Sequence, residues 1–166
     1  MKDKKKINSP ALTAIGLDQK LSKNLAQGLD DLLTNYQVFY MNIRGYHWNI
    51  KGDKFFELHL KFEELYTDAL LKIDEIAERV LTLGHTPTHS FSAYIKTAEV
   101  KEHTNVADGK TAIAQVLEGF GILLKKERVL LELSAEAGDE GTNALMSDYI
   151  RQQEKLVWMQ SSYLTK

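Results

Sequence analysis

The chain has 166 residues, 43% of them hydrophobic and 27% charged, and its formal net charge is −2. This length and composition fit one globular domain, and the absence of cysteine excludes disulfides, thiolate metal ligands and cysteine nucleophiles. The charge argues against a broad basic surface for nucleic acid, and no apolar run is long enough for a membrane helix. We therefore expect a soluble, cytoplasmic protein without a membrane partner.

The first 17 residues are rich in lysine and show no periodicity. We treat residues 1–17 as a flexible arm and residues 18–166 as the folded domain. A solvated terminus is the simpler interpretation of such a leader. The alternative is a basic arm that holds DNA weakly and associates the protein with the nucleoid. The lysines of this arm are Lys2, Lys4, Lys5 and Lys6.

Two long helices are predicted in the first half of the chain. Apolar side chains recur at spacings of three and four from Leu21 to Ile50, with Asp18 as N-cap and Gly52 as stop. His47 falls on this apolar stripe, so it should point inward or into an interface. A second helix is predicted from Asp53 to Gly84, with its own apolar stripe.

The second half predicts a long crossover followed by two more helices. Residues 85–108 lose the periodicity and contain Pro87, so they are expected to carry one or two helical turns at most. Helices are then predicted at 109–137 and, after a glycine-flanked turn, up to Tyr163, with Leu156 and Tyr163 facing inward. The predicted fold is all-α: a ferritin-like four-helix bundle with a long crossover, carrying a short extra helix, between helices 2 and 3.

The second helix carries two short polar ladders on one face. His59 with Glu63, and Asp74 with Glu78, are each four residues apart and therefore neighbours on the helix surface. The ladders lie about 16 Å apart along the axis at ~1.5 Å per residue. Ligand distances are roughly 2 Å, so no single ion could contact both ladders.

A two-fold axis would bring the ladders together. If the helix packs antiparallel against its own copy, positions whose numbers have the same sum face each other. His59 with Glu78 and Glu63 with Asp74 share one sum, so each dimer would contain two equivalent sites built from both chains. The competing interpretation is an ordinary charged helix face. That face would not need the apolar Tyr66 and Leu70 that lie between the ladders.

The residue types restrict the metal without selecting it. Imidazole with carboxylate suits Fe(II), Zn or Mn. Di-iron bundles usually carry Glu-x-x-His on two of their helices, and this sequence contains no such motif. A di-iron centre inside the bundle is therefore disfavoured, and a subunit interface becomes the better candidate.

One set of residues resembles a known family. The set consists of His47-Trp48-Asn49, then Phe55, His59 and Glu63, and then Asp74-x-x-x-Glu78-Arg79. It is similar to the motif of the Dps family, the starvation-associated mini-ferritins. The resemblance covers about residues 20–163. It implies a homo-oligomer, a hollow dodecamer built from two-fold dimers, whose ferroxidase centres oxidise Fe(II) with H2O2, or with O2, and store ferric mineral inside.

The resemblance also assigns the metal ligands. His47, His59 and Glu63 would come from one subunit and Asp74 and Glu78 from its two-fold partner, holding iron as two ions per site. The family commonly has Asp where this chain has Glu63, so the oxygen is shifted by about one methylene.

Trp48 and the overall function each have alternatives. Trp48 resembles the family's tryptophan beside the centre, which would act as a radical trap; it is equally explained as an amphipathic aromatic residue packed at a dimer interface. Beside the ferroxidase and iron store, two other functions remain: a DNA-binding nucleoid protein with little catalytic role, and a metal-sequestering bundle without redox turnover.

Overall fold

The computed structural model describes residues 11–165, which form five helices, so the predicted all-α bundle is confirmed. The lysines of the predicted arm lie outside the described residues. No helix in the described part has both the length and the apolarity needed to span a membrane. The helices are α1 (Gln19–Asn49), α2 (Phe55–Thr82), α3 (Phe91–Thr97), α4 (Gly109–Ala137) and α5 (Glu140–Leu164).

Aspartate side chains begin three of the four long helices. The Asp18 carboxylate accepts hydrogen bonds from the backbone N–H groups of Lys20 and Leu21, which confirms it as the N-cap of α1. Asp108 and Asp139 cap α4 and α5 in the same way. Such caps satisfy N–H groups that have no partner within the helix. The helix boundaries are therefore encoded locally.

The four long helices enclose one core. α1 packs against α2 and α4, α4 packs against α5, and the short α3 lies on α1. The apolar stripe predicted for α1 is buried from Leu25 to Ile50. Close packing between α1 and α4 depends on Gly119, because a Cβ atom there would lie 2.5 Å from the ring of Phe39. The bundle thus has little spare volume at this crossing.

The crossover is held to α1 by polar side chains. The Asn35 Oδ1 atom accepts hydrogen bonds from the backbone N–H groups of Glu99 and Val100. Asn42 accepts from the N–H of His103 and donates to the carbonyl of Lys101. This confirms the predicted crossover and its short helix, and it shows how a segment without a strong apolar pattern is fixed in place.

A polar cluster lies in the middle of the bundle. Glu127 of α4 is fully buried, and its Oε1 atom accepts hydrogen bonds from the Tyr36 hydroxyl of α1 (3.0 Å) and the Gln153 amide of α5 (2.5 Å). Its Oε2 atom and the Oε1 atom of Gln153 are buried without a hydrogen-bond partner. Burial raises the pKa of Glu127 to about 7, although the hydrogen bonds from Gln153 and Tyr36 and the charges of Lys72 and Arg128 oppose the rise.

Candidate metal centre

His47 and His59 form a stacked pair between α1 and α2. Their ring centroids are 3.8 Å apart and the ring planes differ by 20°. The Nδ1 atom of each ring lies 2.8 Å from the backbone carbonyl oxygen of the other residue. The predicted inward orientation of His47 is confirmed, because its side chain is buried.

These reciprocal hydrogen bonds determine which ring nitrogen is available. A carbonyl oxygen only accepts, so each Nδ1 must carry the proton and donate it. In the neutral ring the Nε2 atom then keeps its lone pair. Metal-binding histidines commonly use the second ring nitrogen for such an orienting hydrogen bond. His47 and His59 therefore present two oriented donors for a metal ion.

Aromatic rings hold the pair from two sides. The Phe55 ring stacks on His59 with centroids 5.0 Å apart. The Tyr66 ring meets the edge of His47 at 5.3 Å. Phe55 is the first residue of α2 and Tyr66 lies three turns further on, so both positions follow from the helix register. The rings restrict the rotation of the imidazoles.

The three carboxylates lie on the outer side of α2. Glu63, Asp74 and Glu78 are all exposed, and Glu63 lies one turn beyond His59. Asp74 lies about 22 Å along the helix from His59 at ~1.5 Å per residue. The structure therefore brings His47 and His59 together but leaves Asp74 and Glu78 away from them. Among residues 11–165, no three histidine or acidic side chains are close enough to hold an ion.

Arg79, next to Glu78, fixes the end of α2 that carries Asp74 and Glu78. Its guanidinium donates to the Asp139 carboxylate (2.5 Å) and to the Thr142 hydroxyl (2.9 Å) of α5. Burial alone would raise the pKa of Asp139, but the hydrogen bonds from Arg79 and Thr142 lower it below its usual range. Gly141 lies inside α5, and a Cβ atom there would lie 3.0 Å from the Arg79 guanidinium.

Trp48 is exposed on α1 beside the histidine pair, with Arg44 over its ring. The guanidinium carbon of Arg44 lies 4.6 Å from the Trp48 ring centroid, 5.6 Å from that of Tyr40 and 5.7 Å from that of Tyr66. No motif in the sequence pointed to Arg44 as a functional residue. The available signal was the spacing of Tyr40, Arg44 and Trp48, which are successive residues four apart on one helix face.

The helical architecture and the donor set define a class of protein, and comparison with known proteins agrees. Residues 26–166 match the family described as Ferritin-like domain, so the chain is a ferritin-like protein. It is 45% identical over 155 residues to a DNA protection during starvation protein of Porphyromonas gingivalis, covering 93% of this chain and 98% of the relative. An uncharacterized protein of Haemophilus influenzae is 52% identical and covers 89% of this chain and 92% of the relative.

Solved structures narrow the class. One similar structure is the Dps protein of Vibrio cholerae O1, which is described as a member of a broad superfamily of ferritin-like diiron-carboxylate proteins. Its TM-score to this chain is 0.92 and its sequence identity is 61%, and the match covers 95% of this chain and 99% of that one. A Dps protein of Bacillus brevis has a TM-score of 0.84 and 34% identity, covering 88% and 98%. The chain belongs to the Dps family.

Proposed function

We propose that this protein oxidises Fe(II) with H2O2, or with O2, at sites shared between two copies of the chain and stores the ferric product. The observation that carries the proposal is the His47–His59 pair, whose Nε2 atoms are both left free by reciprocal hydrogen bonds. Glu63 is one turn from His59 and adds the first carboxylate. The remaining ligands, Asp74 and Glu78, then come from the two-fold partner.

The exposed surface of α2 supports this pairing. In an antiparallel pair centred between Asp68 and Ala69, the ends of the helix face each other. Phe56 and Leu81 are 81% and 56% exposed. Their residue numbers have the same sum as those of His59 and Glu78, so Phe56 of one chain would face Leu81 of the other. Leu70 and Leu71 lie next to the axis and are also exposed. A second copy would cover apolar side chains at both ends and in the middle of this helix face.

The apolar positions also lie on the same side of α2 as the carboxylates. At 100° per residue, Phe56, Asp74 and Leu81 fall within about 20° of one another around the helix axis. Exposed apolar side chains on one helix face indicate an interaction surface. An interface that buries them would enclose the carboxylates at the same time and exclude water from the site.

The donors suit the reaction. Two imidazole nitrogens and three carboxylates would hold two Fe(II) ions, with Zn or Mn as competitors for the same ligands. Two ions supply the two electrons that reduce one H2O2 to two water molecules, with two protons taken up. A paired transfer releases no hydroxyl radical. Glu63, being longer by one methylene than the aspartate common in the family, should alter the spacing of the two ions.

The test is anaerobic loading with Fe(II) followed by H2O2, with ferric product and hydroxyl radical both measured. We expect rapid ferric formation with little radical from the wild-type protein, and loss of both properties in the His47→Ala/His59→Ala variant. His89→Ala is the matched control, because His89 is exposed on the crossover and forms no contact with the His47–His59 pair among the hydrogen bonds and ring contacts of the described residues. Fe(II) binding without oxidation by the wild-type protein would favour metal sequestration without redox turnover.

We further propose that the assembly is a dodecamer of two-fold dimers. Twelve chains at −2 each carry a formal charge of about −24, which repels DNA phosphates from the shell. The names of the relatives nevertheless favour DNA as a second partner. The Lys-rich arm with Lys2, Lys4, Lys5 and Lys6 is then the DNA contact, weak at each arm and strengthened by the number of arms.

A further inference from the structure

Arg44 has an unusual environment for an arginine. Its side chain lies among the rings of Tyr40, Trp48 and Tyr66, and its Nη1 atom donates a hydrogen bond to the Tyr40 hydroxyl at 3.0 Å. Among the ion pairs formed by residues 11–165, none includes Arg44. Its Nε atom is buried without a hydrogen-bond partner. The positive charge therefore acts mainly on the aromatic rings.

The rings connect this charge to the candidate metal centre. Tyr66 contacts the edge of the His47 ring at 5.3 Å and the Tyr40 ring at 6.2 Å. Trp48 is the next residue after His47 and is 58% exposed. Tyr66, by its contact with His47, and Trp48, by its position in the chain, are therefore the oxidisable side chains that link Arg44 to the candidate centre.

A nearby cation affects the oxidation of tryptophan and the oxidation of tyrosine differently. A one-electron oxidant such as hydroxyl radical takes an electron from the indole and becomes hydroxide, leaving an indole radical cation. The guanidinium repels that new charge at close range. From the phenol the oxidant takes an electron, and the resulting hydroxide takes the phenolic proton to form water. The tyrosyl radical is neutral, so the guanidinium opposes its formation less.

We propose that Arg44 is a positioning residue that decides which aromatic side chain is oxidised: its charge keeps Trp48 reduced and leaves Tyr66 as the preferred electron donor. The proposal rests on the function proposed above, because iron and peroxide supply the oxidant. It assigns to Tyr66, rather than to Trp48, the role of radical trap beside the site.

The chain contains an internal reference for the test. Trp158 is the only other tryptophan, is 67% exposed, and has no cation over its ring in the described part of the chain. Azidyl radicals made by radiolysis oxidise indoles by one electron without iron. Peptide mass spectrometry then gives the ratio of oxidised Trp48 to oxidised Trp158 in the assembled protein.

The variants separate charge from shape. Arg44→Gln removes the charge. In this variant the ratio of oxidised Trp48 to oxidised Trp158 should rise roughly two- to fivefold over the wild type, the range expected for one cation–π contact. Arg44→Lys keeps the charge and should stay near the wild-type ratio. Arg44→Met repeats the loss of charge if the glutamine variant does not fold. An unchanged ratio without the charge, or an equal rise in the lysine variant, would overturn the proposal.

A second experiment uses Fe(II) and H2O2 in place of radiolysis. In the wild-type protein we expect more oxidation product at Tyr66 than at Trp48, and in Arg44→Gln the order should shift towards Trp48. Product at Trp48 exceeding that at Tyr66 in the wild type would contradict the proposal. If the wild type fails to oxidise iron, the proposed function fails, but the iron-free radiolysis experiment still decides the role of Arg44.

Discussion

Glu127 should make the protein less stable at neutral pH than an isosteric amide would. Its carboxyl group is fully buried in the bundle, and burial raises its pKa from the ordinary 4.5 to about 7. The folded protein therefore binds a proton more tightly than the unfolded chain does. The stability that this proton provides is complete below about pH 4.5 and is lost as the pH rises to about 7.

The size of the effect follows from the two pKa values. The rise from 4.5 to about 7 corresponds to about 3 kcal/mol at 1.36 kcal/mol per pH unit. Glu127→Gln removes the charge and keeps the shape. Its amide also adds a hydrogen-bond donor to a cluster in which the Oε1 atom of Gln153 is buried without a partner. We expect the free energy of unfolding to rise by up to about 3 kcal/mol near pH 8 and to change little near pH 5.

Chemical denaturation at about pH 5 and about pH 8 measures this difference. Protein concentration must be fixed, because the stability of an oligomer depends on it. Glu136→Gln is the matched control, since Glu136 lies on the same helix but is exposed, and it should leave the pH dependence unchanged. A Glu127→Gln variant that is less stable than the wild type at about pH 8, or that keeps the wild-type pH dependence, would refute the reasoning.

Three further predictions concern packing, an ion pair and the arm. Gly119→Ala should lower the free energy of unfolding by about 1–3 kcal/mol, measured by denaturation, because the new methyl group overlaps the buried Phe39 ring. Arg79→Met should cost about 3 kcal/mol by leaving the buried Asp139 carboxylate without its cationic partner, with only the hydrogen bonds from Thr142 remaining. Because the pKa of Asp139 is lowered, this difference should be complete above about pH 4 and shrink on further acidification; a constant difference would contradict it. Deleting residues 1–8 should abolish DNA binding at low salt in gel shifts and spare iron oxidation, while tight binding by the truncated protein would assign DNA to the folded body.

The sequence predicted the helices because each carries a local signal. The α1 stripe repeats at helical spacing, and Asp18 supplies the cap. The interior of α5 was predicted less well. Tyr163 was expected inward but is exposed, whereas Gln153 is buried. Gln153 is buried because it pairs with Glu127 across the bundle, and no periodicity within one helix encodes such a pairing.

The sequence likewise predicted one part of the candidate site and not the other. The spacing of His59 and Glu63 was sufficient to place both on one face of α2. The reciprocal hydrogen bonds between His47 and His59 depend on how two helices pack, so the sequence could not specify which ring nitrogen is free. Asp74 and Glu78 remain distant from the histidines in one chain, and the role proposed for them requires a contact between two chains.

The most direct test of a shared site is complementation between two defective chains. One chain carries His59→Ala and Glu63→Ala, and the other carries Asp74→Ala and Glu78→Ala. Each parent assembly lacks part of every site, so both should fail to oxidise Fe(II) with H2O2. A mixed dimer combines the intact halves in one of its two sites, and we predict that verified mixed assemblies regain activity at that site. Activity in either parent, or none in a verified mixed assembly, would contradict ligation shared between two copies.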